Sequence, residues 1–185
     1  MKKNISILSK VSGFLCLFFM MGCQKEIVLN RLEVGQRFQG GIILYVDETG
    51  QHGLIVAEED QGNNVQWYNG LYTSTGALET QIGSGKRNTA LIVQAYGDGN
   101  FAAKLCDDLV LNGFSDWFLP SRDELDLIFK NELAIKGLSL NPNSLYYWSS
   151  SEYQNYTAWI ENIGTGQRSM VHKSKYGNVR AVREF

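Results

Sequence analysis

The sequence predicts an α+β fold in which two to three helices lie against a twisted, mainly antiparallel sheet. Three observations carry that expectation. Short apolar runs bounded by turn residues open the globular stretch, as in Ile42-Ile43-Leu44-Tyr45-Val46, and a period of two sets in from 146 onward, as in Thr157-Ala158-Trp159-Ile160-Glu161-Asn162. In the middle they recur at spacings of three and four, as in Ala102, Leu105, Cys106 and Leu109. Strands therefore precede and follow the helices without regular strand–helix–strand alternation, which argues against a parallel sheet.

The 185 residues are 44% hydrophobic, 12% aromatic and 19% charged, with 19 glycines and 2 prolines. That composition excludes disordered and fibrous classes and suits a single globular domain with a short leader. A formal charge of −2 gives no footing for nucleic acid as a partner.

The leader comes first. Lys2, Lys3 and Lys10 make a basic region, and Val11 to Met21 follow without a charge. This apolar stretch is far shorter than the roughly 20 residues of a membrane-spanning helix, but it matches the hydrophobic part of a secretory signal. The segment ends Met20-Met21-Gly22-Cys23, and a small residue directly before Cys resembles the lipobox of bacterial lipoproteins. Residues 1–22 are accordingly read as a lipoprotein signal peptide, Cys23 as the lipidated residue, and 23–35 as a tether. An ordinary signal cleaved nearby is the alternative. An outer-membrane lipoprotein is expected; Gln24-Lys25-Glu26 resembles the short export signal of surface lipoproteins, with a plain solvated tether as the alternative, so the surface-facing and periplasm-facing leaflets both stay open. Without Lys2, Lys3 and Lys10 the 17 basic side chains fall to 14 against 19 acidic ones, a net of −5. Cys16 leaves with the signal and Cys23 carries lipid, so Cys106 has no partner for an internal disulfide.

The domain spans 36–185. Gly41–Asp47 and Gly53–Ala57 read as a hairpin joined by a Gly50-containing turn. Val65-Gln66-Trp67-Tyr68 is a short strand, Asn69-Gly70 a turn, and 70–88 a long ordered loop. Asn88 or Thr89 can cap a helix running to about Tyr96. A second helix covers 101–111, stopped by Gly113, with Cys106 on its core face as a small hydrophobe. Ser121-Arg122-Asp123-Glu124 is a capping box, which starts a third helix that ends near Gly137. Strands follow at 147–150, 157–162, 168–172 and 178–183.

Several strings together resemble one family: Gly40-Gly41-Ile42, Gly50-Gln51-His52-Gly53-Leu54, Asp116-Trp117-Phe118-Leu119-Pro120-Ser121, Tyr147-Trp148-Ser149-Ser150-Ser151 and Val179-Arg180-Ala181-Val182-Arg183. They resemble the Lcl C-terminal domain family and are similar to the Fibrobacter succinogenes major paralogous domain. The resemblance implies a C-type-lectin-like or formylglycine-generating-enzyme-like scaffold with long loops on one side. The collagen-like adhesin that gives the family its name is trimeric and binds sulfated glycosaminoglycans. The resemblance therefore implies an adhesin-like role, with a homo-oligomer and an anionic polysaccharide ligand among the expectations. Trp148 and Trp159 are expected in the core.

Catalytic chemistry finds little support. Gly83-Ser84-Gly85-Lys86 lacks the glycine spacing of a phosphate loop, and Arg87 stands where Ser or Thr is required. The start of the following helix could still favour an anion. His52 and His172 belong to no metal-ligand pattern. No nucleophile elbow appears, and one mature thiol cannot run formylglycine-generating chemistry. Glu58-Glu59-Asp60, Asp107-Asp108 and Asp123-Glu124 leave a glycosidase pair open, although adjacent acids on turns are usually solvated. Asn141-Pro142-Asn143 resembles half of a lectin calcium motif, so calcium stays open. The expectation is a non-enzyme without catalytic residues, cofactor or metal.

Three clusters are candidates for ligand binding: Trp67, Tyr68 and Asn69; Tyr153, Asn155 and Tyr156; and His172, Lys173, Lys175 and Tyr176. Aromatic faces stack on sugar C–H surfaces, amides bond hydroxyls, and ammonium groups attract sulfate or carboxylate. Two functions compete on this footing. One is a lipid-anchored, glycan-binding adhesin; the other is a protein-interaction or structural module of an envelope assembly.

Overall fold

The computed structural model describes residues 31–131 and 145–185. The signal, Cys23, most of the tether, the stretch expected to complete the third helix and Asn141-Pro142-Asn143 lie outside the described residues.

Along the chain come β1 (Arg37–Phe38), β2 (Gly41–Val46), β3 (Gly53–Val56) and β4 (Gly62–Gln66). Three helices follow: α1 (Gly85–Tyr96), α2 (Ala102–Asp107) and α3 (Arg122–Lys130). The chain then returns to strands with β5 (Tyr146–Gln154), β6 (Thr157–Asn162), β7 (Gln167–His172), β8 (Tyr176–Val179) and β9 (Val182–Glu184). The α+β class holds, but the strands form two sheets rather than one. Their orders are β1-β2-β3-β9 and β4-β8-β5-β6-β7, antiparallel throughout except where β5 meets β8.

The split falls where 178–183 reads as one strand in the sequence. Chain pairing changes partner there: Gln61 N–H donates to the Val179 carbonyl, whereas Ala57 N–H donates to that of Ala181. Arg180 drives the change, because its guanidinium turns into the interior onto Asp60 at 2.5 Å and the Ala57 carbonyl at 2.9 Å. Arg183, three residues further on, forks onto Asp116 at 2.8 and 3.0 Å and lies 4.0 Å from the Phe114 ring centre. The two arginines of the Val-Arg-Ala-Val-Arg string are thus clamps, and the fork holds the Asp116 carboxyl below the usual carboxylate range.

Two tryptophans brace the larger sheet. Trp67 donates from its indole to the Ser149 carbonyl at 2.8 Å, and Trp148 donates to the Val65 carbonyl at 2.9 Å. Both are fully buried, so the reciprocal bonds satisfy the only polar atom each brings inside. The serines after Trp148 continue the bracing. Ser151 donates to the Glu79 carbonyl at 2.7 Å and accepts from the Arg122 amide at 3.0 Å, tying the long 67–84 loop and the start of α3 to β5. Trp159 departs from its expected core position. It is only partly buried and packs edge-on against Tyr153 at 5.8 Å, with the Arg122 guanidinium 5.1 Å from its ring centre.

The capping box forms as its sequence requires. Ser121 accepts from the Glu124 amide and Glu124 accepts from the Ser121 amide. Glu124 also reaches a second helix. Its carboxylate accepts from Gly83 N–H at 2.7 Å and from the Gly85 amide, so it occupies the start of α1. This explains two corrections. α1 begins at Gly85, three residues before the expected Asn88 cap, because a remote carboxylate supplies the cap. The anion that the Gly-Ser-Gly-Lys segment invited is the protein's own. A Cβ on Gly85 would lie 2.2 Å from Glu124 Oε2, which accounts for glycine there. α2 is shorter than the expected 101–111, ending at Asp107, with Leu105 and Leu109 still packed on the core and Cys106 fully buried.

Candidate functional site

The loop 67–76, the β5–β6 turn and the β7–β8 turn meet on one part of the larger sheet. Together they carry most of the residues singled out from sequence. What they place inside differs from what they show outside.

Lys173 is the largest correction. It was expected on an exposed basic turn, yet its side chain is 0% exposed and pairs with Glu152 at 2.5 Å. Its ammonium also donates to the Thr73 carbonyl at 3.1 Å and Tyr96 Oη at 3.2 Å, and lies 4.5 Å from the Trp67 ring centre. Burial lowers the Lys173 pKa, and Glu152 opposes that shift. The second Glu152 oxygen accepts from Thr75 N–H and Thr75 Oγ1, both at 2.9 Å, and from Gly76 N–H at 3.1 Å. Every donor of the ammonium and both carboxylate oxygens are engaged, the condition under which a buried pair is tolerable. Trp67 is likewise withdrawn, so neither residue can touch a ligand at the surface.

Outside this pair lies a run of rings. Tyr68 donates to Tyr72 Oη at 3.1 Å, and their ring centres are 4.7 Å apart. Tyr72 Oη lies 3.2 Å from His172 Nδ1 with the rings edge-on at 5.0 Å. Tyr156 also lies near His172, with ring centres 6.3 Å apart. Ser174 Oγ sits 2.6 Å from the same Nδ1, so two hydroxyls converge on one ring nitrogen and hold the imidazole in place. The bond to Tyr72 raises the Tyr68 phenol above the ordinary tyrosine range, and Tyr176 is near enough to add to the shift. Tyr72, Tyr156 and Tyr176 are 49%, 52% and 64% exposed.

Asn69 anchors the loop by donating to the Tyr96 carbonyl at 2.8 Å. Tyr153, Asn155 and Tyr156 line a shallow cavity of about 430 Å³ with Ser74, Leu78 and Gln154. Lys175 and Tyr176 stay exposed on the β7–β8 turn. The sequence candidates that gather at the surface are thus Tyr156, His172 and Tyr176; Tyr68, expected beside them, is buried in the core with only its hydroxyl reaching Tyr72. Tyr72 and Glu152 were missed: Tyr72 stands in a Gly/Ser/Thr-rich loop without period, and Glu152 closes a polar strand end.

Most acids of the three runs are committed elsewhere, Glu59 being the one with no side-chain pairing among the described residues, on the rim of a cavity of about 470 Å³ with Glu58 and Asp60. Glu58 pairs with Arg37, Asp60 with Arg180, Asp107 and Asp108 with Lys104, Asp123 with Arg122, and Glu124 caps two helices. A cavity of about 510 Å³ beside the β2–β3 hairpin gathers His52, Asp47, Lys86, Asp116 and Glu184. There Glu184 faces Lys86, Asp116 is held by Arg183, and Asp47 accepts from its own turn. One buried acid stands apart. Glu161 has no hydrogen-bond donor among the described residues, and burial followed by the charge of nearby Asp126 pushes it up to about 8. No three His, Cys, Asp or Glu side chains among the described residues gather to hold a metal ion, and no described helix is long and apolar enough to cross a membrane.

The sequence model of the Lcl C-terminal domain matches residues 57–183, from the end of β3 to the Arg183 clamp. The chain belongs to that family. This Lcl C-terminal domain is also similar in fold to the crystal structure of a fimbrial protein from Bacteroides ovatus ATCC 8483, with a TM-score of 0.55 at 13% identity. The match covers 82% of this chain and 48% of that one, so the chain spans about half the length of that structure. At that identity the likeness establishes fold alone. No curated protein matches the chain.

Proposed function

We propose that this Lcl C-terminal domain is a non-catalytic, adhesin-like envelope protein, held on the outer membrane by lipid at Cys23, that binds glycans through its ring surface. The observation that supports this best is the exposed rings of Tyr72, His172 and Tyr156 over the buried Lys173–Glu152 pair, with Tyr72 hydrogen-bonded to the buried Tyr68 below and close to His172 Nδ1. Rings held in place by their own hydroxyl bonds lose little freedom when a sugar stacks on them. The family membership and the fimbrial likeness fit a surface role. A C-type-lectin-like ancestry of the scaffold belongs to the same proposal, supported by the capped α3 and the long loops gathered on one side.

Full-length protein in detergent, applied to immobilised glycans, tests the binding. Tyr72→Ala and Tyr156→Ala should each weaken it about tenfold, the scale of one lost stacking contact and its bond, without moving the thermal midpoint. Unchanged binding in both variants would remove the ring surface from the proposal. The anchor is tested separately: Cys23→Ser should move the chain from the membrane to the soluble fraction. The competing protein-interaction function draws on Leu71 and Leu78, exposed at 64% and 57% beside the rings. It would show as binding to an envelope protein with no glycan bound.

A further inference from the structure

Charge is what the ring surface lacks. Residues 68–76, 153–157 and 171–176 contain two formal charges, Lys173 and Lys175, and no acid. Lys173 is buried and neutralised by Glu152, which leaves Lys175 as the cation these segments expose. What they show otherwise is polar but without a fixed charge: phenol hydroxyls, the Ser174 hydroxyl and the amides of Gln154 and Asn155, with the His172 ring among them. Of the neighbours, the 97–99 turn, whose Gly99 approaches Asn69, adds an acid in Asp98, and Arg122, which lies over Trp159 beside Tyr153, is already paired with Asp123.

We infer that the surface selects uncharged glycans and discriminates against sulfated and carboxylated ones, an inference that rests on the glycan-binding function proposed above. A sulfate bound tightly by protein is held by forked arginines or several converging donors that replace its water. A lone exposed lysine offers about fivefold at best, and less as salt rises. The domain's net negative charge opposes a polyanion's approach as well. A neutral sugar meets no such cost: its C–H face lies on the rings, while its hydroxyls exchange bonds with the phenols, the amides and His172. The burial of Lys173 decides the matter, since exposing that side chain would have made a two-lysine patch.

The test is full-length protein on an array of neutral glycans printed beside their O-sulfated and uronic-acid counterparts, read at 20 and 500 mM salt. Expected is binding to neutral members that changes less than twofold with salt, falls at least tenfold in Tyr72→Ala, and survives Lys175→Ala within twofold. Preference for the anionic counterparts, with steep loss at high salt or on Lys175→Ala, would overturn the selectivity while leaving glycan binding in place. Binding to no glycan of either kind would overturn both.

Discussion

Replacing Lys173 by Met tests the internal architecture of the surface directly. The substitution keeps much of the apolar stem and removes the ammonium that faces Glu152 Oε1, the Thr73 carbonyl and Tyr96 Oη. Glu152 would keep its three donors from Thr75 and Gly76, but its charge would stay buried without a counter-ion. Breaking such a pair from one side costs about 3–5 kcal/mol. A domain of this size has about 5–15 kcal/mol to lose, so the variant should fold, with a urea midpoint lower by about 2 M at an m-value near 2 kcal/mol/M. Removing both charges, as Lys173→Met with Glu152→Gln, should recover at least 2 kcal/mol of the loss, because neither side is then left charged and the amide oxygen can still accept from Thr75 and Gly76. Urea unfolding followed by tryptophan fluorescence is suitable, since Trp67 lies against the ammonium. A single-variant cost below about 1 kcal/mol, or a double variant equal to the sum of the singles, would refute the account of Lys173 as an internal clip.

Three further outcomes are expected. Glu161 sits near pKa 8 in the folded chain against an ordinary value of 4.5, so the folded state keeps a proton that the unfolded state releases. The stability this contributes is whole below about pH 4.5 and gone above about pH 8. The thermal midpoint should therefore fall across that window, and Glu161→Gln should flatten the fall; an unaltered slope would contradict the assignment. Gly85→Ala forces a Cβ against Glu124 and Ser121, and should cost about 2 kcal/mol, near 4–8 °C in Tm; a calorimetric midpoint within 1 °C of the parent would show that the shared cap gives way freely. Burial pushes the Cys106 thiol up, so it should resist a thiol reagent such as DTNB in native buffer and react fully in urea; rapid native labelling would show that α2 opens.

Local chemistry was legible in the sequence and long-range pairing was not. The Ser121–Glu124 box spans three residues and carries its own instructions, so it formed as expected. The turn at Gly50 and the core face of α2 likewise needed only near neighbours. The start of α1 did not, because the carboxylate that caps it comes from Glu124, 39 residues beyond Gly85. Lys173 was misplaced for the same reason. A lysine between a histidine and a serine on a turn looks solvated until Glu152 and Trp67, distant in sequence, are found beneath it. The aromatic clusters were each visible as ligand candidates. Their junction depended on Tyr72, whose loop has no period to read, and on the β6–β7 hairpin bringing His172 back beside Tyr156.

The way loop 73–77 is fastened has an evolutionary consequence. Its hold comes from below, through Glu152 and Lys173, and owes nothing to the rings that face outward. Residues 71, 72, 155, 156 and 176 can therefore be exchanged by mutation without loosening the backbone that presents them. A paralogue wanting a new quarry need only repaint these positions, while the hidden fastening is inherited intact.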